Sequence, residues 1–123
     1  PFASPELIDE CIRAGYRTQA AAPAVAVKDT VKVVAEDGRV VATPERANLR
    51  AVQTPQVFKL SLLRRAYEQR FVESFTDDAS VVEALGEQVV GVEGNRENIK
   101  ITTPFDFVLA KAIVECLTQQ PET

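Results

Sequence analysis

Two hydrophobic periods, one helical and one of strand type, trade places along the chain and mark out its elements. Ser4-Pro5-Glu6 has the makings of a helix start: a capping hydroxyl, a proline in the first turn and an acid near the positive end of the dipole. Leu7, Ile8, Cys11, Ile12 and Tyr16 follow at helical spacing and predict one apolar face through Arg17. Ala20 to Val27 is a continuous apolar run, the pattern of a parallel strand covered on both faces. Pro23 inside it predicts a bulge or an irregular entry, because proline cannot donate to a ladder.

Val31 to Thr43 reads as a β-hairpin closed by a two-residue turn at Asp37-Gly38. That register sets Glu36 opposite Arg39, Val34 opposite Val41 and Lys32 opposite Thr43, and leaves Val31, Val33, Ala35, Val40 and Ala42 on the other face. A lone hairpin with an apolar face is marginal in water, so this one is expected to be covered by its own domain or by a second subunit.

Leu49 to Val52 predicts a short strand running into Gln53-Thr54-Pro55-Gln56. A helix is expected from Leu60 to Gln69 with Leu62, Leu63, Ala66 and Tyr67 inward, and another after Ser74–Asp78 that buries Val81, Val82 and Leu85. Gln88 to Val92 and Asn98 to Thr102 read as strands. Thr103-Pro104-Phe105-Asp106 has capping-box spacing and opens a last helix through Leu117, apolar on most sides and so expected to be sandwiched. This order of elements predicts α/β layering. An α/β domain rarely opens on a helix, and few strands are available for a sheet. The chain, opening on Pro1 and lacking methionine, is therefore expected to be a fragment or a processed piece whose first half lies elsewhere.

Composition narrows the chemistry. With 14 basic and 18 acidic residues the net charge is −4, mixed along the chain, which gives no reason to expect nucleic acid or an anionic membrane as partner. No apolar run reaches membrane-spanning length. Cys11 and Cys116 both fall on apolar helical faces and are expected to be buried free thiols in a reducing, cytoplasmic compartment. There is no histidine, which excludes imidazole acid–base chemistry and histidine metal ligation.

Gly91-Val92-Glu93-Gly94 lacks the spacing and the lysine of a phosphate loop. Asp77 and Asp78 suit helix-capping anions better than metal ligands. Three features remain as candidate chemistry: Lys100, on the polar face of Asn98, Lys100 and Thr102 with Ile99 and Ile101 toward the core; Thr54, beside a proline just past a strand; and Arg46, after the hairpin. Taken singly, each also fits an ordinary surface or turn residue.

In combination they are specific. Arg50-Ala-Val-Gln-Thr-Pro-Gln-Val-Phe58, Ser74-Phe-Thr-Asp-Asp-Ala-Ser80 and Val92-Glu-Gly-Asn-Arg-Glu-Asn-Ile-Lys-Ile-Thr-Thr-Pro104 resemble consecutive signature segments of the 2-C-methyl-D-erythritol 4-phosphate cytidylyltransferases. Val27-Lys-Asp-Thr-Val-Lys32 and Pro1-Phe2 match in order. The resemblance implies the C-terminal part of a Rossmann-like nucleotidyltransferase domain over residues 1–123, with a β-hairpin arm at about 28–48 through which it forms a homodimer. It also implies transfer of a cytidylyl group from CTP to methylerythritol phosphate with Mg²⁺. The metal-binding aspartate and the glycine-rich CTP loop belong to the half not present, so this chain alone is expected to be inactive. By motif matching, Arg46 and Lys100 position the methylerythritol phosphate, and Thr30, Thr54 and Thr76 are further substrate contacts. The nucleophile is a phosphate oxygen already ionised near neutral pH, so no general base is needed and catalysis rests on positioning and charge neutralisation.

Two other readings compete. Ribitol-5-phosphate cytidylyltransferases share the Gln-Thr-Pro-Gln and Asn-Ile-Lys-Ile-Thr segments, whereas Thr-Asp-Asp-Ala-Ser and the Glu45-Arg46 context favour methylerythritol phosphate. A non-catalytic dimerisation module retaining the fold is the alternative of another class.

Overall fold

Ser4 caps the first helix as expected: its Oγ accepts the Leu7 amide at 3.1 Å in the computed structural model, which describes residues 1–119. The elements run α1 (Pro5–Thr18), β1 (Ala20–Ala26), β2 (Val33–Val34), β3 (Val40–Ala42), a 3-10 turn (Arg46–Asn48), β4 (Arg50–Val52), β5 (Val57–Phe58), α2 (Leu60–Ala66), α3 (Asp78–Ala84), β6 (Val90–Glu93) and α4 (Pro104–Thr118).

Strand β1 is the centre of the sheet. It pairs in parallel with β6, Ala21 opposite Val90 to Ala24 opposite Glu93, and antiparallel with β4 and then β5. The strand is covered as expected, but its neighbours are mostly antiparallel; β5 was not anticipated at all. The sheet is lined by α1 through small residues. Leu7, Cys11, Ala14 and Gly15 are buried, while Ile8, Ile12 and Tyr16, expected inward, are exposed. The reason is close approach: a Cβ on Gly15 would stand 2.7 Å from Val57 Cγ1, so the helix face against the sheet admits no large side chain there. Ile12 and Tyr16 border a cleft of about 500 Å³ beside Val57 and Phe58.

A second cluster forms where α2 and α3 meet the start of β1. Leu62, Ala66, Val81, Val82 and Ala20 are its buried members, with Phe58, Phe75 and Leu85 packed against it. Tyr67, expected inward, is exposed because α2 ends at Ala66, three residues before the anticipated Gln69. Asp77 caps α3: its Oδ1 accepts the Ser80 amide at 2.7 Å, and the Ser80 Oγ accepts the Asp77 amide at 3.2 Å. Burial works against the Asp77 charge, yet hydrogen bonds from Gln56 and Ser80 outweigh it and hold the carboxyl below its usual range.

The hairpin forms as a separate two-stranded sheet with a different turn. The loop has three residues, Glu36-Asp37-Gly38: the Gly38 amide donates to the Ala35 carbonyl at 2.9 Å, Gly38 takes φ +86°, and the Ala35 amide donates to Arg39. The longer loop and a bulge shift the register, so that Val34 faces Val40 rather than Val41. Lys32 still meets Thr43, its Nζ donating to Oγ1 at 2.9 Å. Every residue from 28 to 43 is exposed.

Two expectations fail near the C-terminus. Asn98–Thr102 is not a strand; two side-chain anchors take the place of a ladder there. Helix α4 is not sandwiched: only Ala110 is buried, while Phe105, Phe107 and Val108 are 60–66% exposed. Cys116 is exposed with them, whereas Cys11 is buried, and that burial, helped by Glu10, pushes its thiol pKa up. The Thr103–Asp106 capping box is present as expected.

Candidate functional site

Proline at position 23 organises the site. Within a strand, a residue's N and C=O face the same neighbour. The Pro23 carbonyl accepts the Gln53 amide at 2.8 Å, so its missing N–H faces the β4–β5 edge. That edge is where the ladder breaks. β4 ends at Val52, β5 resumes at Val57, and Gln53-Thr54-Pro55-Gln56 turns out between them, with a cis peptide bond before Pro55.

Amide side chains fasten this turn on two sides. Gln53 Nε2 donates to the Asn95 carbonyl at 2.8 Å, and Asn98 Nδ2 donates to the Thr54 carbonyl at 2.7 Å. Gln56 reaches the other way: its Nε2 donates to Asp77 Oδ2 at 3.0 Å, and its Oε1 accepts the Ala79 amide at 3.1 Å. The turn thus joins the segment after β6 to the start of α3. Gly94 permits this closeness, since a Cβ there would lie 2.4 Å from Gln53 Oε1 and 3.3 Å from the Ala24 backbone.

Thr54, Thr76 and Lys100 are all exposed around this turn. Thr54 lies in it, and Thr76 directly precedes the Asp77 that Gln56 holds. Lys100 stands two residues beyond Asn98, with no hydrogen bond or ion pair to any described residue. Its segment is gripped at the far end by Asp106 Oδ2, which accepts the Thr102 amide (2.9 Å), the Thr102 hydroxyl (3.0 Å) and the Thr103 amide (2.8 Å). The backbone amides of Thr102 and Thr103 and their hydroxyls bring the Asp106 pKa down to about 2.

The remaining two candidates are Arg46, which lies beyond the carboxyl end of β1, and Thr30, in the segment that leaves that strand. Arg46 Nη1 donates to the Lys28 carbonyl at 2.5 Å, and Arg96 Nη2 donates to the Ala26 carbonyl at 3.1 Å. Two guanidinium groups therefore brace the chain as it leaves β1. Among the described residues no hydrogen bond links Arg46 or Thr30 to the turn. Sequence reasoning missed Gln56, Arg96 and the inward role of Asn98; the signal was four amide residues in two loops without ladder partners. The described residues contain no cluster of three His, Cys, Asp or Glu able to hold a metal ion, so the Mg²⁺ implied by the resemblance has no built holder among them. No helix among them is long and apolar enough to cross a membrane.

A parallel strand pair with loops gathered beyond its carboxyl ends, in a mixed α/β frame, is the layout of ligand-binding α/β domains. The family model of the 2-C-methyl-D-erythritol 4-phosphate cytidylyltransferases matches residues 1–116. The protein of that name from Bacteroides fragilis is 52% identical over 114 residues, covering 93% of this chain and 51% of the relative. The crystal structure of 4-diphosphocytidyl-2C-methyl-D-erythritol synthase from Anaerococcus prevotii superposes with a TM-score of 0.84 at 38% identity, covering 94% of this chain and 52% of that one. The 2-C-methyl-D-erythritol 4-phosphate cytidylyltransferase from Thermus thermophilus gives 0.76 at 36% identity, covering 94% and 57%. The chain belongs to the 2-C-methyl-D-erythritol 4-phosphate cytidylyltransferase family. It spans about half the length of the curated relatives it matches.

Proposed function

We propose that this chain is the C-terminal half of a cytidylyltransferase that transfers the cytidylyl group of CTP to 2-C-methyl-D-erythritol 4-phosphate, releasing pyrophosphate. The observation that carries the reading is the fastened Gln53–Gln56 turn with exposed Thr54, Thr76 and Lys100 around it, on a chain whose relatives bear that name. Lys100 is a cation without a protein partner among the described residues, suited to a phosphate that must approach an electrophilic phosphorus. Thr30, Thr54 and Thr76 supply neutral hydroxyls for further substrate contacts.

The second edge of β6 has no strand partner among the described residues, which supports a sheet continued by the other half of the domain. CTP and the Mg²⁺ that accompanies it are assigned to that half. Arg46 and Thr30 stand apart from the turn at the base of the hairpin. We assign them to the neighbouring subunit's site, reached across a homodimer built through the hairpin arm. Arg46 and Lys100 then approach one phosphate from two chains.

Pyrophosphate release by the complete protein, measured with methylerythritol phosphate and ribitol 5-phosphate in parallel, tests the reading. Turnover confined to methylerythritol phosphate is expected. A preference for ribitol 5-phosphate would reassign the substrate, and turnover of neither would favour a non-catalytic dimerisation module.

A further inference from the structure

Lys100 lies in a segment without regular structure, so no ladder or helix fixes its place. Two side chains do. Asp106 holds the C-terminal end through Thr102 and Thr103. Asn98 holds the N-terminal end. Among the described residues it is the buried polar one, 6% exposed, and its side-chain nitrogen Nδ2 meets the Thr54 carbonyl at 2.7 Å, 44 positions away in sequence. The Asn98 backbone N–H donates to the Asn95 carbonyl at 3.2 Å, which seats the residue within its own loop. One buried side chain thus ties the Lys100 segment to the turn bearing Thr54.

We propose that Asn98 is a positioning residue: it sets the separation between Lys100 and Thr54 that the phosphate-bearing cytidylyl acceptor must bridge. The inference rests on the assignment of Lys100 to that acceptor. A carbonyl–amide bond between two loops is a fixed strut, whereas the four-carbon lysine stem is flexible. Once the strut is lost, the ammonium still reaches the region but no longer from a fixed base, and transfer chemistry is sensitive to such misplacement. The effect should appear in kcat more than in KM, because a loosened ammonium retains its long-range attraction for the phosphate.

The test is a double-mutant cycle in the complete protein, with N98A, K100A and the double variant assayed for cytidylyl transfer and for thermal unfolding. N98A should lower kcat about tenfold in the wild-type background, equivalent to about 1.4 kcal/mol, and less than about twofold in the K100A background. Its effect on the melting temperature should be the same in both backgrounds, because stability does not pass through Lys100. If N98A does not fold, N98D, which keeps the shape but replaces the donor with an acceptor, goes through the same cycle with the same expectation. Equal kcat losses in both backgrounds would overturn the inference, as would a lowered melting temperature with kcat unchanged. A slow K100A with additive losses removes only the role of Asn98. A K100A as fast as wild type removes the assignment of Lys100 and this inference together.

Discussion

Gly94→Ala should damage both stability and activity in the complete protein, for a reason of space and not of backbone conformation. Gly94 has no left-handed φ, so alanine meets no torsional objection there. The added methyl would stand 2.4 Å from Gln53 Oε1 and 3.3 Å from the Ala24 nitrogen and oxygen. The Ala24 backbone belongs to the central strand and its carbonyl already accepts the Gly94 amide at 2.9 Å, so it cannot retreat. Gln53 must move. Overpacking of this kind costs about 1–3 kcal/mol. Displacing Gln53 also breaks its 2.8 Å bond to the Asn95 carbonyl, a loss of about 1 kcal/mol. The sum is about 2–4 kcal/mol, which in a protein about twice this length lowers the melting temperature by roughly 4–16 °C.

A second substitution isolates the cause. Gln53→Ala removes the atom at 2.4 Å and leaves only the two 3.3 Å contacts, which a shift of a few tenths of an ångström relieves. Gln53 Oε1 accepts no hydrogen bond from the described residues, so the cost of Gln53→Ala is mainly the lost Nε2 bond to the Asn95 carbonyl, about 1 kcal/mol, which Gly94→Ala has already broken. The double variant should therefore be more stable than G94A alone, with a coupling of about 1–2 kcal/mol by urea titration. Strict additivity, or a G94A within about 0.5 kcal/mol of wild type, would refute the steric argument.

The hairpin exposes Val33 and Val40 at 46% and 55%, and their joint replacement by aspartate should convert a dimer of the complete protein to monomer in sedimentation; an unchanged dimer would place the interface elsewhere. Mixing R46A and K100A subunits under conditions of exchange should restore about a quarter of wild-type activity if the two residues serve one site from two chains, and none if both act within one chain. For Asp106, the folded pKa of about 2 lies below the ordinary 3.8. Its contribution is therefore complete above the ordinary value and is lost as pH falls through about 2. The stability penalty of D106A should accordingly be full at pH 5 and shrink between pH 4 and 2; a penalty independent of pH across that window would refute the assignment.

What could be read from the sequence divides by the range of the interaction. Ser4, Asp77 and Thr103 cap their helices through contacts three residues away, and local composition predicts such contacts well. The Asn98–Thr102 alternation was misread because a period of two says which side chains share a face, not whether a ladder partner exists. Asn98 turned inward because its amide found the Thr54 carbonyl, a partner no local pattern reveals. Strand β5 has two residues, too few for any period. Pro23 predicts a bulge or irregular entry in its own strand, yet β1 runs unbroken from Ala20 to Ala26 and the interruption lies in the partner edge between β4 and β5, whose Gln53 is 30 residues further on. The apolar surround of α4 signalled a need for cover and was silent on where the cover comes from.

The candidate site divides along the same line. Arg46, Thr54, Thr76 and Lys100 stand out as candidates only because several short motifs occur together in order; the exposed side chains themselves look like ordinary surface. Their holders, Gln53, Gln56 and Asn98, were not recognised, though amides are the residues one would choose for the task. A side-chain amide is able both to donate and to accept, so it can tie a loop to whatever backbone group lacks a ladder partner. Residues bearing the proposed chemistry are thus exposed, while those that place them are at least partly buried and hydrogen-bonded across long sequence distances. This division predicts different kinetic signatures. Removing a bearer deletes an interaction with substrate outright, whereas removing a holder leaves the interaction available at the wrong distance. Coupling between the two kinds of variant, as for Asn98 and Lys100, is therefore the measurement that distinguishes a built site from a set of matching motifs.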